Sequence, residues 1–481
     1  MHRPVPATHI DLYQLTSLVP HYLKGRCDDP VVMSFFSRRL PKHVTTGEPA
    51  RGYLLFAGLR RCLEHLQQAR FDDARLQTLL EQPLVGPTLR RHPALIERLR
   101  RWRFRGTIRA PREGTPLVSG AALRRDGRRL NVDDVRPAAY TPYLEVETDL
   151  LSAKLIETPL LSILNHMTMV ASKASRVVSA ARSQGEGRAV LEFGTRRTHP
   201  EAAVDAALAA WIAGCAATSN VEAHARHGVP VAGTMDHFAI QAWEEDGVPR
   251  HVTEQAFFRA FHEQFPGRDT LLVDTYDTFG AHTGIRAAVR ATDGAGPHAI
   301  RLDSALTRDN LQRARALLDE LGATSTRIVV SGGIDEDKIA ALGDAPIDGY
   351  GVGERIVTSP DAPVGVGAVG KLSLIRGAPT MKLSRSTGKA TLPGRLQVWR
   401  HEGADLVGLQ GESHPGEPLL HTVYDEHGPR DLPDYGEVRD HAARALAALP
   451  EARRTPRHAD LPVTDALASL VEGCVGLGLG S

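Results

Sequence analysis

Cysteine is nearly missing from this chain. Its 481 residues hold four, Cys27, Cys62, Cys215 and Cys474, and no two stand at Cys-x-x-Cys spacing. That argues against a disulfide framework and against a thiolate zinc site. Also missing is any apolar run near the ~20 residues a membrane-crossing helix needs. The opening stretch, MHRPVPATHIDLYQLTSL, reaches Asp11 before any long apolar segment and so reads poorly as a secretory signal. A cytoplasmic, soluble protein with no membrane contact is expected. An excess of one charge is absent as well, with 58 Lys plus Arg against 57 Asp plus Glu. Near-neutrality argues against a chain built to coat nucleic acid, yet it leaves room for a local anion site. What remains is ordinary globular chemistry, 42% hydrophobic and 24% charged, which excludes wholesale disorder. At roughly 100–200 residues per domain, the length predicts at least two domains.

The rhythm of the chain changes twice. Residues 1–150 mix short apolar stretches such as VVMSFF (31–36) with basic turns, and GYLLFAGLRRCLEHL (52–66) is spaced as a buried amphipathic helix. RRDGRRL (124–130) reads as a loop whose cations form a solvated surface. From 151 to 360, apolar strands alternate with helical segments: AVLEFG, VPVAGT, TLLVDTY, HAIRLD, TRIVVSGG and GYGVG. Such alternation predicts a parallel sheet with helical crossovers, and this many units suits an α/β barrel better than a small open sheet. Residues 361–465 return to hairpins, with Arg376-Gly377 and Glu402-Gly403 as turns, followed by a helix. The end of the chain, 466–481, closes on GLGLGS and is expected to be disordered.

In a β/α barrel, ligands meet the loops at the C-terminal ends of the strands. Thr195-Arg196-Arg197, Asp236-His237, Arg301 with Asp303-Ser304, SGGIDED and GYGVG occupy those positions. The set suits an anionic, phosphorylated, polyhydroxylated ligand. Gly332 and Gly333 let backbone N–H groups approach a phosphate at a helix start, or are an ordinary turn. Arg196 and Arg301 offer planar forks to carboxylate or phosphate, or are surface ion pairs. Asp303 would accept ribose hydroxyls or hold Mg²⁺ through water, or cap the following helix. His237 has the chemistry to take a phosphoryl group on a ring nitrogen, with Asp236 as a neighbour able to orient it, or is a structural histidine. The pattern calls for no dedicated metal cluster.

The ordered series DLYQLTS (11–17), FGTRR (193–197), TSN (218–220), GTMDH (233–237), DTYDT (274–278), RLDS (301–304), GVGERIVTS (351–359), KLS (382–384) and KATLPG (389–394) resembles the nicotinate phosphoribosyltransferase family across residues 10–465. The resemblance implies an α/β fold of the type II phosphoribosyltransferase kind, an irregular TIM-like α/β barrel. Beside it comes a second, α+β domain assembled from the N- and C-terminal segments. It implies transfer from 5-phosphoribosyl 1-diphosphate to nicotinate, giving nicotinate mononucleotide and diphosphate in NAD salvage. Mg²⁺ is the implied cofactor, ATP the co-substrate, and a homodimer with a shared active site the implied assembly. Matched by motif, Tyr13 resembles an aromatic that stacks on the pyridine ring from the partner subunit, and Phe193 its opposing face. Thr234 and Arg301 resemble nicotinate contacts, and Arg196 and Asp303 handle the phosphoribosyl group. His237 resembles the histidine phosphorylated by ATP, and Gly332, Gly333, Gly351 and Gly353 the cradle of the 5-phosphate. Ser219 stands where the nicotinamide-using relative carries an aspartate, which points to the acid as substrate.

Four positions depart from the family pattern: Asp236 before the histidine, Ala305-Leu306 in place of a glycine and an acid, Gly333 in place of an acid, and Glu354 in place of a threonine. Two rival readings keep the fold: a transferase working without ATP on another aromatic carboxylate, and a non-catalytic nucleotide-sensing homologue.

Overall fold

The computed structural model describes residues 5–479 apart from 39, 41, 43–45, 50–51, 119, 362–365, 386–388, 431 and 455–458. Two compact units divide the chain, one of residues 1–172 and 360–481, the other of residues 173–359.

The first unit interleaves both ends of the sequence. Its seven-stranded sheet runs, by residue range, 378–379, 368–375, 30–37, 144–149, 106–110, 421–425 and 428–429. Pairing is antiparallel throughout, with Val31 facing Ile375 on one side and Thr148 on the other. Phe36 stacks on Tyr140 with ring centroids 3.4 Å apart, at the edge of a core that also holds Leu396, Val398, Val407 and Leu461. The turns at Arg376-Gly377 and Glu402-Gly403 carry the positive φ angles that tight hairpins require.

Several expectations are corrected here. The stretch 52–66 is not one helix. Leu54–Leu55 is a strand, and the helix begins at Leu59, after Gly58 breaks the run at φ +103°. RRDGRRL is the tip of a hairpin; Arg124 pairs with Asp460 and Arg125 with Asp465 and Glu472, while Arg128 and Arg129 are exposed as expected. Of the end expected to be disordered, 480–481 lie outside the described residues, and the rest, up to 479, lies in the helix Asp465–Leu479. Its Leu467, Ala468, Val471 and Val475 form a buried stripe at helical spacing, so apolar burial orders a segment whose glycines suggest otherwise.

The second unit is a six-stranded, wholly parallel sheet with strands in the order 270–272, 299–302, 327–331, 349–352, 189–192 and 217–218. It begins at Lys173, not at 151, inside the 34-residue helix Leu150–Ser183. The first part of that helix belongs to the other unit because its side chains satisfy backbone there: Thr168 and Ser172 bond the chain at Ala57 and Leu55. VPVAGT contributes a single bridge, Val231 to Thr218, instead of a strand. The end strands 270–272 and 217–218 do not pair with each other among the described residues, so the sheet is open on that side. No described helix is long and apolar enough to cross a membrane.

Candidate active site

Because all six strands run parallel, their C-terminal ends share one edge, and the turns leaving that edge carry the polar residues singled out above. The turn after strand 189–192 holds Phe193 and a single helical turn, Thr195–Arg197. Its base is Glu192, a buried carboxylate that accepts the Gly194 amide and the Thr218 hydroxyl, the latter at 2.5 Å. Burial pushes this carboxyl above its ordinary range, and the two hydrogen bonds oppose the shift. Thr195 and Ser219 hydroxyls meet at 3.0 Å across neighbouring turns.

His237 opens the short helix His237–Gln241, and its Nδ1 lies 3.0 Å from the Thr275 hydroxyl. Asp236 does not orient the ring. Its carboxylate accepts the Ala239 amide at 2.9 Å as the cap of that helix, the role that a short acidic side chain fills best at this position.

Arg301 rises from strand 299–302, with Nη1 3.4 Å from the Thr234 hydroxyl. Its Nε is buried without a hydrogen-bond partner. Burial pushes the guanidinium below its usual value; Asp303 and Asp274 oppose that shift, and Arg196 adds to it as a nearby like charge. Asp303 accepts the Ser331 hydroxyl. It is not a helix cap, since Thr307 fills that position for the helix Arg308–Glu320. Asp274 ties the turn together: its Oδ2 accepts the amides of Asp303 and Ser304, both at 2.8 Å, and the Ser304 hydroxyl at 2.7 Å. Its Oδ1 is buried and unpaired.

The four glycines divide in two. Gly333 has φ +64° and open space where a side chain would stand, and Gly332 (φ +89°) lies so near the Asp303 carbonyl that a Cβ would approach it to 2.1 Å. Gly351 and Gly353 have a reason inside the fold. A Cβ on Gly351 would strike the Phe193 ring at 2.5 Å, and one on Gly353 would sit 2.9 Å from the Phe193 carbonyl. They give Phe193 its seat.

This arrangement agrees with what the chain is similar to. A family model for the nicotinate phosphoribosyltransferase (NAPRTase) N-terminal domain matches residues 8–165, and one for the quinolinate phosphoribosyl transferase C-terminal domain matches 170–362. Nicotinate phosphoribosyltransferase pncB1 of Mycobacterium tuberculosis is 41% identical over 91% of this chain and 87% of its own length. The chain belongs to the nicotinate phosphoribosyltransferase family. The Bacillus subtilis nicotinate phosphoribosyltransferase is 33% identical, covering 87% of this chain and 79% of its own. The crystal structure of human nicotinic acid phosphoribosyltransferase superposes with a TM-score of 0.76 at 25% identity, over 96% of this chain and 99% of that one.

Within that family frame, the strand-end turns bring Thr234, Arg301 and Asp303 together, with Arg196 close enough to act on Arg301 electrostatically. Ser219 sits on the Phe193–Thr195 turn's neighbour, and Tyr13 belongs to the other unit, 54% exposed on helix Leu12–Leu23 with Lys154 over its ring. Three residues escaped the sequence reasoning: Glu192, Asp274 and Thr275. The first was signalled by an acid ending an apolar strand, the others by their place inside DTYDT. Of the departures, Ala305 adopts φ +50°, Leu306 is buried, and Glu354 is exposed at the start of a one-turn helix.

Proposed function

We propose that the chain joins nicotinate to 5-phosphoribosyl 1-diphosphate, forming nicotinate mononucleotide and diphosphate as an entry to NAD salvage, with ATP hydrolysis coupled through His237. The observation that carries this is Arg301, a part-buried guanidinium at a strand end whose buried Nε–H is unsatisfied. A buried donor without a partner costs about 1–3 kcal/mol, more when charged, and a pyridine carboxylate removes that cost. Ser219 supports the acid over the amide, since a hydroxyl there adds no negative charge to repel it. Phe193 supplies one flat face for the ring, and Tyr13 is the aromatic that a second copy of the chain would add in a homodimer.

In the transfer, the pyridine nitrogen supplies the electron pair for the new bond to C1 of the ribose. The C1–O bond breaks, and its pair leaves with diphosphate. The pyridine nitrogen carries no proton to remove, so the protein's work is positioning and charge stabilisation. Arg196 and the Gly332-Gly333 amides are placed for phosphoribosyl oxygens, and Asp303 for ribose hydroxyls. Mg²⁺ takes one or two carboxylates beside substrate phosphates, a number that Asp303 and Asp274 supply, and when bound it would neutralise the departing diphosphate. In the tautomer whose Nδ1–H donates to Thr275, His237 has its lone pair on Nε2, the atom that would accept the phosphoryl group of ATP.

The test is formation of nicotinate mononucleotide with and without ATP, in the natural chain and His237→Ala, with nicotinamide as control. Product that rises with ATP, and loses the rise in His237→Ala, supports coupling. Product indifferent to both overturns it in favour of an uncoupled transferase, in which Asp236 beside the histidine repels ATP. No product from either pyridine overturns the transferase assignment.

A further inference from the structure

Glu254 sits within helix Arg250–Gln264 and is fully buried, yet it belongs to none of the groups assigned above. A carboxylate removed from water is costly unless something satisfies it. Its Oε2 accepts the amide of Gly284 at 3.0 Å, at the start of helix Gly284–Ala291, and its Oε1 is buried without a partner.

Gly284 closes a turn that begins at Asp274. The Asp277 carbonyl accepts the Gly280 amide at 3.2 Å and the Thr283 hydroxyl at 2.8 Å, and the Thr278 carbonyl accepts the Ile285 amide at 3.1 Å. Gly284 holds φ +58°, and a Cβ there would come within 2.4 Å of the Thr278 carbonyl oxygen and 2.6 Å of that of Asp277. The turn is therefore shut so tightly that the Gly284 amide has one direction to point, toward Glu254. The near end of the same turn carries Asp274, which organises residues 303–304, and Thr275, which meets His237.

We propose that Glu254 is a positioning residue: by holding the Gly284 amide it fixes the turn 274–284, and so presents Thr275 to His237 and Asp274 to the ribose-side turn. The proposal rests on the reading of His237 as the reactive histidine. Tyr276 interacts electrostatically with Glu254. The helix of Glu254 also carries Arg250, His251, Arg259, His262 and Glu263, the turn carries Asp277 and His282, the preceding segment Glu244, and the helices packed against it carry Arg286, Arg290 and His237. Several are engaged with one another: Tyr276 with Glu244, Glu244 with Arg250, the His251 ring with that of His282, and Arg286 with Glu320. Burial pushes the Glu254 carboxyl up to about 7, opposed by the Gly284 amide alone. A hydrogen bond to the ionised form is the stronger one, so the anchor tightens as pH rises through 7.

The experiment follows amide hydrogen exchange of segment 274–284, corrected for intrinsic rates, and kcat and KM for nicotinate, at pH 6 and 8. It compares the full chain with Glu254→Ala and Glu254→Gln. Glu254→Ala should raise exchange in 274–284 about tenfold while strands 299–302 and 327–331 stay protected, and lower kcat about tenfold with KM within about twofold. Glu254→Gln keeps an acceptor oxygen, so it should match the natural chain at pH 6 and lose its gain in protection and kcat at pH 8. Unchanged exchange at 274–284 in Glu254→Ala overturns the proposal. Exchange spreading through the whole sheet overturns it equally, since Glu254 would then be core only. Where Glu254→Ala fails to fold, Glu254→Gln decides: a flat pH profile supports the anchor, and a natural-chain slope overturns it. Exchange needs no turnover, so an inactive natural chain would fail the transferase reading while this test still stands.

Discussion

Buried charge is handled differently in two regions of the molecule. In the unit formed by the chain ends, Arg109 pairs with Glu145, whose oxygens also accept the Leu396 amide at 3.0 and 3.1 Å, while Arg109 donates to the Leu396 carbonyl at 2.8 Å. Arg400 grips Asp405 through two nitrogens at 2.6 and 2.9 Å, and Thr141 donates to the same carboxylate. Each of these groups is closed on protein partners. At the strand ends of the parallel unit, Arg301 keeps Nε unpaired and Asp274 keeps Oδ1 unpaired. An unpaired polar atom in a low dielectric is expensive, so its persistence near Thr234 and Asp303 is what the proposed ligand would relieve. The closed pairs hold the fold; an open group either awaits a ligand, as proposed for Arg301, or fixes a turn, as proposed for Glu254.

The largest effect that would break this contrast is at Arg301. Arg301→Met removes the open guanidinium at similar length, and kcat/KM for nicotinate should fall about a hundredfold or more, the ordinary loss for one partner of a desolvated charge pair. Its denaturant midpoint should stay near that of the natural chain, because few protein bonds are lost. A large fall in stability together with retained turnover would place Arg301 among the closed charges and end the distinction.

Arg109→Leu asks the converse. It leaves Glu145 buried without its ion-pair partner, with only the Leu396 amide and the more distant Arg395 to compensate, which costs about 3–5 kcal/mol for a broken buried pair. Urea unfolding should show that loss, while turnover per folded molecule stays within about twofold. Replacing Glu145 as well, by Leu, should recover part of the stability, since an apolar pair of similar volume avoids the desolvation cost. Failure of that recovery would mean that Glu145 acts mainly through the Leu396 amide.

What could be read in the sequence follows the same division. Strand-end polar residues were legible because each stands where an apolar run stops, and parallel strands then bring those stops to one edge without further information. Glu192 was passed over although it too ends an apolar strand, since nothing in that placement tells an inward-facing buried acid from one at the open mouth. Asp236 beside His237 invited an orienting role, but adjacency in sequence is not adjacency of side chains, and the true ring partner, Thr275, lies 38 residues on. Gly351 and Gly353 read as phosphate turns, and the sequence could not show that they also make room for the Phe193 ring and its carbonyl, since a glycine needed for packing leaves the same trace as one needed by an anion. VPVAGT has the composition of a strand, yet composition does not supply a neighbour on both sides. At the far end, the closing glycines drew attention from a buried stripe just before them, which the spacing of Leu467, Val471 and Val475 already contained.

The smallest effect concerns Ala305, where the family pattern carries glycine and this chain bends to φ +50° without one. A residue with a Cβ in that region costs roughly 1–2 kcal/mol, while glycine loses about 0.5–1 kcal/mol more entropy on folding than alanine. The balance favours Ala305→Gly by about 0.5–1 kcal/mol, read as a higher urea midpoint. What holds the alanine in place is visible: its carbonyl accepts the Thr307 amide and the Asn310 side chain, both at 2.9 Å, and Leu306 next to it is buried. Those bonds remain in the glycine variant, so stability should rise with little change in turnover. If turnover falls as stability rises, the strain at Ala305 is serving Asp303 and Ser304, and the line between charges that hold the fold and charges that hold a substrate would have to include backbone that does both.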